Sequence, residues 1–213
     1  MDQNLAFINQ KRVRNTIENL QKNNMKGYFV QDEKEALEKI KQLLKKGEVV
    51  AVGGSMTLFE IGAIELLRNG EYEFLDRYAQ GLNTEERHEI FRKSFFADAY
   101  LVSSNAITEQ GELYNVDGTG NRVAAMLYGP KKVIVVVGMN KLVVDLEEAI
   151  KRVKSISSPA NNVRLENMNP CIKTGYCSEC SSPNRICNEY TLIKRQGIPD
   201  RIHVIIVNKE LGY

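Results

Sequence analysis

Four cysteines stand at Cys171, Cys177, Cys180 and Cys187, and the first 170 residues contain none. A central CxxC flanked by two further thiols can present four thiolates to one tetrahedral metal ion or one cluster. Gly175, Pro183 and the nearby serines suit the tight, irregular loop that a wrapped site requires. The spacing matches neither the bacterial ferredoxin run nor a paired CxxC zinc ribbon. An iron–sulfur cluster, a structural zinc ion and redox-active or free thiols therefore all stay open. Lys173 and Arg185 could offset thiolate charge or could be surface residues. A secreted disulfide framework would be spread through the fold instead.

Two glycine loops offer a different chemistry. Gly53-Gly54-Ser55-Met56-Thr57 follows the apolar run 48–52 and precedes a helical pattern. Glycines there let the backbone approach an anion, while free amides and the Ser/Thr hydroxyls supply donors. The plain alternative is a strand-to-helix turn capped by Thr57. The loop is neither a Walker A sequence nor GxGxxG, so ATP and NAD are unsupported. Glu60 follows one helical turn after Thr57, as a supporting or a solvated carboxylate.

The second loop spans Asn105 to Arg122. Its polar and glycine residues include Asn105, Glu109, Asp117, Gly118, Thr119, Gly120, Asn121 and Arg122, more than a turn needs. Glu109 and Asp117 are the ionisable candidates for catalysis. If both loops sit at the carboxyl ends of strands, they form a crevice for a small anionic ligand. The bland alternative is a decorated hairpin with Arg122 in a salt bridge. His88 and His203 belong to no catalytic or metal-binding spacing.

These residues need a scaffold, and the periodicity supplies one. A helix is expected over 2–24, carrying Leu5, Ile8, Val13, Ile17 and Leu20 at helical spacing. Strands over 27–30, 48–52, 99–103, 132–137 and 202–207 alternate with helices over 32–46, 57–68, 84–96, 119–128 and 145–155. A hairpin over 106–116 turns at Gly111. Strands separated by helices imply an α/β fold, a mostly parallel sheet with helices on both faces. The expectation is one domain over 1–213 with a cysteine-rich metal loop at 170–188.

Composition agrees. With 213 residues, 29 basic and 27 acidic side chains, the net charge is +2, and 43% of residues are hydrophobic. Near-neutral charge gives no footprint for nucleic acid or an anionic membrane. The longest apolar run, Val133 to Val137, is a strand's length, far short of the ~20 residues of a spanning helix. The polar start MDQNLAFINQKR lacks the apolar stretch of a signal peptide, so a cytoplasmic location is expected.

Three segments resemble the lactate-utilisation (LUD) domain family: GGSMTLFEIG at 53–62, SSNAITEQGELYNVDGTGNRVAAMLYGPKKVIVVVGMNKLV at 103–143, and PCIKTGYCSECSSPNRICN at 170–188. The resemblance implies a fold like the superfamily of glucosamine-phosphate deaminase, ribose-phosphate isomerase and CoA-transferase. It also implies iron–sulfur-dependent oxidation of lactate or a related organic acid, with redox protein partners. Hydride chemistry on lactate would further need a flavin or nicotinamide, for which no motif is visible. The rival reading is a binding or regulatory module for a sugar phosphate, CoA or carboxylate, with zinc fixing the cysteine loop. More distantly, residues 103–119 are similar to a segment of methylthioribose-phosphate isomerases, G-A-D-R-I-x-x-N-G-D-x-x-N-K-x-G-T. Asn105 takes the place of that catalytic aspartate and Val116 that of its lysine. An asparagine is no general base near neutral pH, so isomerase chemistry is not expected.

Overall fold

The structure, a computed structural model, describes residues 2–213. The helices are α1 (Gln3–Lys22), α2 (Glu33–Leu43), α3 (Met56–Glu60), α4 (Ala63–Asn69), α5 (Thr84–Lys93), α6 (Asn121–Tyr128), α7 (Leu146–Arg152), α8 (Ser158–Arg164) and α9 (Pro170–Thr174). The main sheet contains β1 (Lys26–Val30), β2 (Val49–Val52), β3 (Glu73–Leu75), β4 (Ala99–Val102), β7 (Lys132–Gly138) and β10 (Ile202–Val207). Its order is β1-β10-β7-β4-β2-β3, and every neighbouring pair is parallel. Four shorter strands, β5 (Ala106–Thr108), β6 (Leu113–Asp117), β8 (Leu142–Val143) and β9 (Glu189–Ile193), form a second, mixed sheet ordered β8-β5-β6-β9.

The main sheet is apolar on both faces because alternate side chains enter two separate cores. Val133, Val135 and Val137 of β7 share one core with Val13 and Leu20 of α1 and Ala125 and Met126 of α6. Ile134 and Val136 enter the other, with Ala36 and Ile40 of α2 and Leu58, Ile64 and Leu67 of α3 and α4. A third, smaller core under the mixed sheet joins Ala106, Tyr114, Val116 and Val143 to Ala149, Val153 and Cys187.

The expected hairpin is present, and Gly111 turns it at φ +74. Only glycine is at ease there, since a Cβ would also meet the Leu20 amide nitrogen at 2.6 Å. The helix expected over 57–68 is instead two, broken at Gly62, whose φ is +77. Its cap is Ser55, whose hydroxyl accepts from the Leu58 amide at 3.3 Å, so Thr57 is free for another role. The helix expected over 145–155 ends at Arg152 and passes through a π-helical turn, residues 153–157, into α8. The cysteine segment is not all loop, since α9 opens it and β9 follows it.

Candidate functional site

The parallel strands all end on the same edge of the main sheet, and the loops beyond them enclose a pocket of about 310 Å³. Gly54 and Ser55 come after β2, Arg77 after β3, and Ser103, Ser104 and Asn105 after β4. Lys141 follows β7, and Tyr213 lies beyond β10. The second glycine loop completes the wall with Asp117, Gly118, Thr119, Asn121 and Arg122. The two loops therefore converge on one crevice at the carboxyl ends of the strands, where open α/β sheets bind ligands.

Gly53 lies beneath this wall rather than in it. A Cβ there would meet Val102 at 2.7 Å and Arg122 and Tyr100 at 3.0 Å. Gly120 provides the turn into α6, at φ +72. Glu60 faces the C-terminal segment, where it accepts from the Gly212 amide at 2.6 Å. Glu109 stands apart from the pocket, in a 2.5 Å ion pair with Arg12 of α1.

Arg122 is 7% exposed, and its guanidinium is committed to the protein. It donates to Ser103 O, Asn115 Oδ1, Asn105 Oδ1 and Val116 O at 2.6–3.2 Å, with Asp117 Oδ2 at 3.7 Å. Asp117 accepts from the Gly118 and Val123 amides, so its oxygens also brace the loop. Asn105 accepts from the Val116 amide as well as from Arg122. These three residues shape the pocket through buried polar bonds.

Sequence reasoning missed Lys141. Its ammonium end lies at the strand ends, 3% exposed, and donates to Thr57 Oγ1 at 2.9 Å and Ser103 Oγ at 3.0 Å. Among the described residues no carboxylate pairs with it. Burial, reinforced by Arg152 and Arg122, pushes its pKa down to about 7, against a weaker upward pull from Glu60. The signal was faint, a lone lysine after the apolar strand β7. Arg152, also missed, is pushed down to about 10 by burial and ties the site together. It donates to Asn140 O, Asn105 O and Ser157 Oγ.

Arg77 and Arg164 complete the cationic lining, against the single acidic side chain of Asp117. Arg77 lies over the Phe91 ring at 4.2 Å, and its buried Nε has no hydrogen-bond partner among the described residues. Arg164 donates to the Asn161 side-chain oxygen, and neither arginine pairs with an acidic side chain among the described residues. Such a lining attracts a small anion.

The four cysteines come together on a second, smaller cavity of about 10 Å³. Cys171 lies in the first turn of α9, and Cys187 precedes β9. Ser158 of α8 accepts from the Cys187 thiol at 3.1 Å, and Asn162 donates to Cys171 Sγ at 3.4 Å. Burial is the main cause that pushes both of these thiols up. Arg185 donates to the carbonyls of Cys180 and Cys187, which fixes the backbone between them. All four cysteines are free. Among the described residues no three Cys, His, Asp or Glu side chains already stand in ligating geometry. The donor set nevertheless suits a metal group, since four thiols and no carboxylate line one space.

The two cavities are back to back. Ile186 lines both, and the adjacent Ser157 and Ser158 face one each. Asn188 holds the cysteine segment onto the glycine loop through Asp117 O and Gly118 O.

An α/β protein with a cationic pocket at its strand ends and a thiol cavity behind it is thus defined. The LUD domain model matches residues 13–207, and the chain belongs to the LUD domain family, which is associated with lactate utilisation. A crystal structure of a DUF162 family protein from Deinococcus radiodurans is similar at TM-score 0.56 and 17% identity. The alignment covers 93% of this chain and 98% of that one, and at this identity it shows the fold alone. No match is found among curated proteins. No helix of the described residues is long and apolar enough to cross a membrane.

Proposed function

We propose that this chain binds a small carboxylate of the lactate type in the cationic pocket and relays electrons through a metal group on Cys171, Cys177, Cys180 and Cys187. The observation that carries the reading is the shared wall, because Ile186 lines the ligand space and the thiol space alike. An iron–sulfur cluster supplies one-electron transfer when bound, and oxidation of a 2-hydroxy acid also needs a two-electron carrier on a partner protein. The protein's own part is to hold the anion by Arg77 and Arg164, with Lys141 beside it, and to keep the thiols next to that space.

The test is anaerobic purification followed by a visible spectrum and assay of iron, sulfide and zinc on one sample. Brown protein that bleaches with dithionite and contains iron and sulfide is the expected result. Colourless protein without either overturns the relay. A specific observation favours a second reading, in which zinc merely fixes the segment. The thiol cavity as it stands is about one water in size, closer to a single tetrahedral ion than to a cluster. Stoichiometric zinc would establish that reading and leave function to the cationic pocket alone.

A further inference from the structure

We propose that Lys141 is a covalent site, forming a reversible imine with the carbonyl carbon of a 2-oxo acid held in the cationic pocket. The inference rests on the anion-pocket reading above and adds a bond to it. An ordinary structural lysine ends in an ion pair or in water. Lys141 is 3% exposed and has no acidic partner among the described residues. Its two hydrogen bonds go to hydroxyls, and each hydroxyl passes its own hydrogen onward, Thr57 to Leu211 O and Ser103 to Ser104 O.

That arrangement matches an uncharged amine. Two N–H groups are used by Thr57 and Ser103, and the nitrogen lone pair is left unengaged. The charged groups acting on the nitrogen are two buried arginines, Arg122 and Arg152, with only Glu60 opposing them. Desolvation beside other cations is the device that turns a lysine into a nucleophile at neutral pH. Space is available, since Lys141 lines a 310 Å³ pocket, enough for an acid of a few carbons. The same lining offers Arg77 and Arg164, free of acidic side-chain partners among the described residues, to receive the carboxylate.

The step balances within the proposed chemistry. The lone pair of Nζ attacks the carbonyl carbon and a C–N bond forms. The carbonyl oxygen then leaves as water, taking the two amine hydrogens, and a C=N bond remains. No oxidant or reductant is needed.

Pyruvate and its 2-hydroxy counterpart lactate are the probes. The full chain is incubated with each in the presence of cyanoborohydride, then digested and mapped by mass spectrometry. The thermal midpoint with each acid is measured in parallel without reductant. With pyruvate, the peptide holding Lys141 gains the mass of the acid less one oxygen, and lactate gives no adduct. Lys141→Arg loses the adduct while keeping a hydrogen-bond donor in place. Peptide mapping of the unsubstituted chain decides the question even if that variant fails to fold. Stabilisation by both acids without an adduct at Lys141 overturns the imine and leaves the anion pocket standing. Modification spread evenly over surface lysines also overturns the imine. Absence of both adduct and stabilisation overturns the two readings together.

Discussion

The cationic pocket and the thiol cavity share a wall, yet they are built in opposite ways. The first is assembled from the ends of five parallel strands, and its inner side chains are held by one another. Arg122, Asp117, Asn105 and Arg152 form a buried polar net whose acceptors are mostly backbone carbonyls and carboxamides. The second is assembled from one stretch of chain, 171–187, laid over α8 and tied down by bonds to Ser158, Asn162 and Lys154 and through Asn188 to the glycine loop. A polar net fixed by the fold gives a pocket that exists before its ligand does. If the thiol cavity holds the metal group proposed above, that group adds the bonds that join the four thiols, since none of them is joined to another now.

Removing the thiols should separate the two regions most sharply. Cys177→Ser combined with Cys180→Ser lowers bound metal to background, read by elemental analysis. Carboxylate-induced thermal stabilisation should survive, because neither cysteine lines the cationic pocket. Loss of both properties together would mean that the regions fold as one.

Arg122→Ala attacks the other side. It strips the donors from three buried acceptors and from the part-buried Asn105, and unpairs Asp117, a loss of about 3–5 kcal/mol. Calorimetry should show a midpoint lower by roughly 6–20 °C.

Lys141→Met tests the pocket's electrostatics. The folded pKa is about 7 against an ordinary 10.5, so between these values the unfolded chain binds more protons than the folded one. Stability from this group therefore rises as pH climbs from 7 towards 10.5, and is lowest at and below pH 7. Denaturant titrations across that window should show a flatter profile in the variant.

Gly53→Ala presses on the pocket from below, where Val102, Arg122 and Tyr100 leave no room, at a cost of about 1–3 kcal/mol. Ser158→Ala is the mildest change. It removes the acceptor of the Cys187 thiol, worth about 1 kcal/mol in urea unfolding.

The same contrast governs what the sequence could disclose. The main sheet was legible because its strands are short apolar runs set between amphipathic helices, and β7 and β10 were unmistakable. β3 and β8 were not, since Glu73–Leu75 and Leu142–Val143 are too short to carry a period. β9 lies past the cysteines, and its pairing with β6 depends on contacts distant in sequence. The glycine loops and the four cysteines declared themselves by residue type and spacing. Lys141 did not, because a lysine after a strand looks solvated until Thr57 and Ser103, 84 and 38 residues away, close over it. Glu109 looked like a candidate acid for the same reason in reverse, as its partner Arg12 is 97 residues away on α1.

The strand order has a consequence for how the chain must be made. β10 lies between β1 and β7, so Tyr28 meets His203 across 175 residues. During synthesis from the N-terminus, β1 has no partner strand until almost the whole chain has emerged. The valine-rich β7 meanwhile presents an unpaired edge, the kind of surface on which nascent chains aggregate. A chain that ends before residue 202 has both of those edges bare. Translation speed over the whole stretch between β7 and β10, the cysteine segment included, thus sets how long the growing protein is exposed to that hazard.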